Sequence, residues 1–173
     1  GGFLDQSGIV KSVNYRRFTF QSNSDAQVLK WLKFSNNITF SADTKKSGSY
    51  NIGDALKALP IYPVKNEDGS WSGPDGNSEW YGSTRNPIGP TELNKSQTDG
   101  YNFLANLTAE LTFTKWLKFK STFGYDAKFW FIDNFTPKYN WKPTPTEETS
   151  RYKSDNKSFT YLWDNYFLFD HTF

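Results

Sequence analysis

Aromatic side chains in polar surroundings are the feature of this sequence with the clearest binding chemistry. Indole and phenol rings stack on the C–H faces of sugars, while nearby amides and hydroxyls bond the sugar hydroxyl groups. Two segments rich in Gly, Ser, Asn, Thr and Pro contain five such residues: Trp71, Trp80, Tyr81, Tyr139 and Trp141. The sequence predicts them as ligand contacts. The alternative is that they pack their loops against each other or against a partner protein.

Residues that could carry out catalysis or bind a metal are few. The chain has no cysteine, which excludes disulfides, thiolate zinc sites and cysteine nucleophiles. His171 is the single histidine, and no Gly-x-Ser-x-Gly sequence provides a nucleophilic serine for it. Glu147 and Glu148 could be read as the acid/base pair of a glycan-degrading enzyme, but they lie in a Pro/Thr-rich segment typical of solvated loops. We therefore predict no enzymatic activity, no catalytic residues, no metal site and no cofactor.

The charge balance and composition narrow the class of protein. Twenty basic residues face 18 acidic ones in 173 residues, a net charge of +2 that argues against a nucleic-acid partner. Aromatic residues make up 19% of the chain although hydrophobic residues total only 36%. No apolar run reaches the roughly 18 residues of a membrane helix. Aromatic residues mixed with polar ones favour β-strands that have one apolar and one polar face.

Strict alternation of apolar and polar residues predicts long strands. Apolar residues occupy every second position of 101–113, and the pattern resumes over 117–131 after a short connection. Earlier strands are predicted over about 15–23 and 32–42, and a last one over about 159–170. Five strands of this length suit a bilayer, which a tilted strand crosses in about nine to eleven residues.

The connections between these strands alternate between short and long. Residues 24–29 and 114–116 are predicted as short turns, whereas 43–100 and about 134–158 are predicted as long loops. A helical turn capped by Asp54 is expected in the first long loop. The sequence Lys-Trp-Leu-Lys-Phe begins at both Lys30 and Lys115, which places a tryptophan at each short turn. Short turns, long loops and tryptophan at the water–lipid boundary are typical of outer-membrane β-barrels.

An ordered series of motifs along nearly the whole chain resembles one family. The motifs include Gly-Phe-Leu-Asp-Gln-Ser-Gly (2–8), Lys-Trp-Leu-Lys (30–33), Asn-Asn-Ile-Thr-Phe-Ser (36–41), Ala-Leu-Lys-Ala-Leu-Pro (55–60), Asp-Gly-Ser-Trp (68–71), Asn-Pro-Ile (86–88) and Phe-Gly-Tyr-Asp (123–126). In this order they resemble the barrel of SusC/RagA-like TonB-dependent outer-membrane transporters.

The resemblance implies an all-β fold: antiparallel strands that form part of a large transmembrane β-barrel with long extracellular loops. Residues 1–173 would be a segment of about five strands, without the plug domain and the rest of the barrel. The family imports glycans, or in some members peptides, across the bacterial outer membrane. The implied partners are a SusD-like surface lipoprotein, the TonB system acting through the plug, the solute and outer-membrane lipid.

A soluble carbohydrate-binding β-sandwich is the alternative fold and function. In that protein Trp71, Trp80 and Trp141 would form a sugar-binding platform. Strand length separates the two readings, because a sandwich predicts a break or bulge within 101–113 and a barrel predicts none.

Overall fold

The strands of the computed structural model, which describes residues 1–61, 63–73, 86–139 and 146–171, form one antiparallel sheet. Its six strands follow one another in chain order, each hydrogen-bonded to the next. They are β1 (Gly2–Ser7), β2 (Asn14–Leu29), β3 (Leu32–Ser47), β4 (Lys95–Thr112), β5 (Leu117–Thr136) and β6 (Ser150–Phe169). This up-and-down order confirms the prediction of an all-β antiparallel fold.

The fourth strand distinguishes the barrel reading from the sandwich reading. β4 is 18 residues long and pairs without a register shift with β3 on one side and with β5 on the other. The sandwich predicts a break or bulge between residues 101 and 113, and the structure has none. The long uninterrupted strand therefore agrees with the barrel prediction.

The expectation of five strands was wrong, because β1 adds a sixth. Its six residues pair with β2 from Gly2 opposite Thr19 to Ser7 opposite Asn14. Backbone pairing with β2 keeps this segment extended, although its side chains alternate too briefly to produce a clear hydropathy pattern.

The strands also extend further than alternation predicts. β2 runs to Leu29, so the first turn consists of Lys30 and Trp31 and not of residues 24–29. The two long loops are correspondingly shorter than predicted and span 48–94 and 137–149. We call the end of the sheet with connections 30–31 and 113–116 the turn end. The opposite end, with connections 8–13, 48–94 and 137–149, is the loop end.

Two short helices lie in the largest loop. α1 spans Ile52–Lys57, and the side chain of Asn51 caps it by accepting bonds from the amides of Gly53 (2.9 Å) and Asp54 (3.3 Å). The predicted cap, Asp54, instead lies in the first turn, one of the positions where a carboxylate favours a helix. α2 spans Gly89–Leu93 and has a proline in its first turn. Within the described residues no helix is both long and apolar enough to cross a membrane.

Candidate functional site

One face of the sheet carries a continuous apolar surface, which we call the apolar face. The strand register aligns its residues in rows that cross β2 to β6. The row at Phe103 also contains Phe20, Phe40, Ala127 and Phe159, and the row at Leu111 contains Leu32, Phe119 and Phe167. Aromatic pairs join neighbouring strands, as between the rings of Phe119 and Phe167, whose centroids are 5.0 Å apart.

No second layer covers this apolar face among the described residues. Tyr161 is 76% exposed, Trp163 is 68% exposed and Phe167 is 65% exposed. Only Ala105 and Ala127 are buried hydrophobic residues in the described part of the chain. Soluble proteins rarely expose apolar patches of this extent, so the face must contact lipid or another apolar surface.

The height of the apolar face matches a membrane. From Tyr101 to Leu111 the strand rises ten residues, or about 33 Å at about 3.3 Å per residue. A strand inclined by about 40°, as in membrane barrels, would span about 25 Å along the membrane normal, the height of the apolar band on such barrels. Trp31 and Trp116 lie in the two connections of the turn end, where indole rings would meet the bilayer surface.

The opposite face is polar, and we call it the polar face. Ion pairs join Lys33 to Asp25 (3.1 Å), Lys118 to Glu110 (3.0 Å) and Lys128 to Asp126 (2.9 Å). Thr108 and Thr122 share a hydrogen bond of 3.0 Å across β4 and β5. The predicted polar face of the strands is confirmed, its ion pairs are an additional finding, and this chemistry suits a water-filled lumen.

Asn86 organises the described part of the 48–94 loop. Its buried side-chain amide donates 2.8 Å bonds to the carbonyls of Val64 and Ser72, and its oxygen accepts from the amides of Ile88 (2.9 Å) and Gly89 (3.3 Å). One side chain thus joins the 64–72 segment to the start of α2. Nothing in the sequence indicates this role, although Asn-Pro is a dipeptide that favours turns.

Trp71 lies on a small hairpin within this loop. It forms an isolated bridge with Lys65, whose Nζ lies 4.5 Å from the centre of the indole ring. The tight turn between them contains Gly69, which adopts a φ of 81°. Hydrogen bonds from the hydroxyl and amide of Ser70 lower the pKa of Asp68 below its ordinary value of 3.8.

The five predicted ligand residues are only partly described by the structure. Trp71 is half-buried in its hairpin, with Lys65 against its ring. Tyr139 is also half-buried and forms a bridge with Thr146 in the 137–149 loop. Trp80, Tyr81 and Trp141 lie outside the described residues. Ligand binding by all five stays a prediction.

Of the residues considered for catalysis, His171 packs against aromatic rings, and the two glutamates are exposed in a loop. The His171 ring stacks on Phe169 at 6.3 Å and meets Trp116 edge-on at 6.1 Å, at the turn end. Glu147 and Glu148 are both exposed in the loop that precedes β6. In the described ranges no three His, Cys, Asp or Glu side chains are grouped as metal ligands.

Comparisons with known proteins place this sheet in a larger architecture. No protein-family model matches the chain. It is 34% identical to TonB-dependent receptor P26 of Formosa agariphila over 72% of this chain and 12% of that protein. It is 31% identical to TonB-dependent receptor SusC of Bacteroides thetaiotaomicron over 65% of this chain and 13% of that protein. The chain thus spans only about an eighth of these relatives.

Solved structures agree on the fold. The RagAB peptide importer in its closed-closed state superposes with a TM-score of 0.77, covering 99% of this chain and 20% of that one at 17% identity. Its open-open state gives a TM-score of 0.73 over 94% of this chain and 19% of that one. The named relatives are receptors and not enzymes, which confirms the prediction that this chain is not an enzyme. The chain is therefore a barrel segment of the SusC/RagA-like family of TonB-dependent receptors, which are proteins of the bacterial outer membrane.

Proposed function

We propose that this chain forms part of the wall and mouth of a barrel that imports oligomeric nutrients across the outer membrane. The observation that carries the proposal is the sheet itself, which has an uncovered apolar face of bilayer height and an ion-paired polar face. An apolar face toward lipid and a polar face toward a lumen are what a transport barrel requires. Residues 1–173 then supply six strands of a larger wall, and other parts of the protein supply the remaining strands and the plug.

The loop end faces the outside of the cell in this proposal. Outer-membrane barrels have short turns on the periplasmic side and longer loops outside. The 48–94 and 137–149 loops would therefore form part of the external mouth, where a solute and a SusD-like lipoprotein lid arrive. Energy would come from the TonB system acting on the plug.

Glycans are the solute class that the loop chemistry favours. Trp71 presents an indole beside Lys65 and the polar turn 66–70, a combination that suits sugar hydroxyls and ring faces. Peptides are the alternative, because the RagAB complex is a peptide importer by name. Both classes are oligomers with many hydrogen-bonding groups, so the same polar lumen could conduct either.

Growth of a deletion strain tests the solute class. The gene that encodes this chain is deleted, and growth is followed on oligosaccharides or on oligopeptides as the carbon source. We expect loss of growth on oligosaccharides and restoration by the full-length gene. Loss on peptides alone would contradict the glycan proposal, and growth unaffected on both would contradict import of either class.

Replacement of Trp71 tests the binding role of the loop. Trp71→Ala in the full-length protein should reduce oligosaccharide uptake about tenfold at low solute concentration, since an aromatic ring contributes roughly 1.5 kcal/mol to such contacts. Trp116→Ala at the turn end is the matched control, because it removes an indole far from the loops. Equal uptake by both variants would exclude Trp71 from the binding site.

A further inference from the structure

The apolar face continues toward the loop end as a charged belt, which we call the collar. It consists of the residues of that face from β1 to β6 that lie beyond the single row shared by Tyr101 and Phe129. Its basic members are Arg16, Lys46, Lys95, Arg151, Lys153 and, at its lower edge, Lys157. Its acidic members are Asp5, Asp99, Asp133 and Asp155.

The collar is too tall for an ordinary phospholipid headgroup layer. From Tyr101 to Lys95, β4 rises six residues, or about 20 Å along the strand and about 15 Å along the membrane normal at a tilt near 40°. The headgroup layer of a typical bilayer measures about 5–8 Å on each side. At the turn end, by contrast, apolar rows reach the connections directly, through residues such as Leu117 and Phe169.

Two of the four acidic groups of the collar are ion-paired, whereas Asp99 and Asp155 form no ion pair within the described ranges. Asp133 accepts bonds of 2.9 and 2.6 Å from Arg151 and lies 3.8 Å from the Lys153 ammonium. Asp5 is paired with Arg16 at 3.0 Å. The remaining lysine ammonium groups of the collar are therefore available for an external anion.

Lys157 at the lower edge of the collar is one available cation, and the other two are Lys46 and Lys95 in its two outermost rows. Both are exposed, and neither forms an ion pair with another residue of the described ranges. Asp99, close to them, accepts its bonds from the neutral side chains of Thr44 (2.7 Å) and Gln97 (2.9 Å). Lys95 also lines a groove of about 360 Å³ together with Asp133 and Arg151.

We propose that the collar binds the phosphate groups of a phosphorylated glycolipid in the outer leaflet. This inference rests on the proposed function, because it requires the apolar face to lie in lipid with the loop end outside. An acyl chain on the apolar face would bring an attached phosphate to the level of the lysines, where each cation near a membrane surface attracts anionic lipid. The height of the collar favours a headgroup of several sugars over a phospholipid.

Reconstitution of the full-length protein tests this binding. The protein is inserted into phosphatidylcholine nanodiscs that contain diphosphoryl lipid A, the same lipid without phosphates, or no glycolipid. Bound glycolipid is counted by native mass spectrometry, and the melting temperature is measured in each disc. We expect the phosphorylated lipid alone to bind tightly and to raise the melting temperature.

A pair of double variants isolates the collar. Lys46→Gln with Lys95→Gln should weaken binding of diphosphoryl lipid A about tenfold to thirtyfold, as expected for two cations near a membrane surface. Lys45→Gln with Lys120→Gln removes the same charge from the polar face, because Lys45 pairs opposite Thr98 and Lys120 opposite Glu110. This control should bind like the wild type.

Three results would overturn the proposal that the collar binds a phosphorylated glycolipid. Equal binding of the dephosphorylated lipid would show that phosphate is not recognised. An equal rise in melting temperature with inorganic phosphate would assign the site to a free anion. Equal loss in both double variants would make the effect one of overall charge. Failure of the protein to insert into nanodiscs would count against the barrel function, whereas insertion without phosphate dependence would count against the collar alone.

Discussion

Asn86 holds the largest loop through an amide that uses both of its N–H donors and accepts twice through its oxygen. Asn86→Ala would leave the buried Ser72 carbonyl and the Ile88 and Gly89 amides without this partner, and each unsatisfied group costs about 1–3 kcal/mol. The Val64 carbonyl would keep its 3.3 Å bond from the Ser72 amide. We expect faster hydrogen exchange throughout 63–73 and unchanged exchange in β4. Asn66→Ala, which removes one exposed bond to Ser70, is the control and should affect only its own turn. Similar exchange in the two variants would contradict the central role of Asn86.

The turn at Asp68 should depend on pH. Hydrogen bonds from Ser70 lower the pKa of Asp68, so the ionised form stabilises the turn. A carboxyl whose pKa is lower in the folded state contributes this stability fully above 3.8, and loses it as the pH falls through the folded value. Hydrogen exchange of residues 63–73 should therefore be slower in the wild type than in Asp68→Ala at pH 6. The two proteins should exchange alike once the wild-type carboxyl is protonated, and a difference that persists there would contradict this mechanism.

At the scale of the element, the two faces of β4 predict opposite tolerance to charge. Leu107 lies on the apolar face near mid-height, and the adjacent Asn106 lies on the polar face. Leu107→Lys places an ammonium in lipid and should cost about 2–4 kcal/mol in the free energy of unfolding. Asn106→Lys should cost much less, because its side chain meets water in the lumen. Denaturant titration in lipid vesicles measures both, and equal costs would contradict the assignment of the faces.

Alternation predicted the strands where they cross the membrane and missed them beyond it. Between residues 101 and 113 one face meets lipid, so the sequence alternates and the strand is recognisable. From Lys95 to Gly100 the side chains on both faces of the strand are mostly polar or small, and the same holds from Ser150 to Ser158. The backbone ladder continues there without any hydropathy signal. β1 escaped prediction for a similar reason, since only pairing with β2 makes it a strand.

The candidate site was predictable only in part. The existence of a polar face followed from the alternation along each strand, because a period of two residues fixes which side chains share a face. The ion pairs on it, such as Lys118 with Glu110, were seen only in the structure. Loop geometry has no such period, so nothing in the sequence indicated that Asn86 would bond Val64 and Ser72, which lie 22 and 14 residues away. The collar was missed because its charges look like ordinary solvated residues until the register places them in one belt.

At the scale of the whole molecule, an open sheet with one uncovered apolar face requires both lipid and further strands. β1 has one neighbouring strand in the described structure, and so has β6, which leaves two edges unpaired. In a membrane an unpaired edge exposes backbone N–H and C=O groups to hydrocarbon, and this costs several kcal/mol per group. Closure removes both edges, and barrels of this transporter class close with about 22 strands.

The intact mass of the polypeptide isolated from outer membranes tests this requirement for closure. We expect about 110 kDa, because a stretch of 126 residues of this chain covers only 12% of a related receptor, whose length is therefore about a thousand residues, enough for about 22 strands and a plug. The protein should also migrate faster in gel electrophoresis before heating than after it, since a closed barrel resists detergent until it is heated. A 20.0 kDa polypeptide that stays monomeric and soluble without detergent would contradict the barrel. Its apolar face could not then be exposed to water as it is in this sheet.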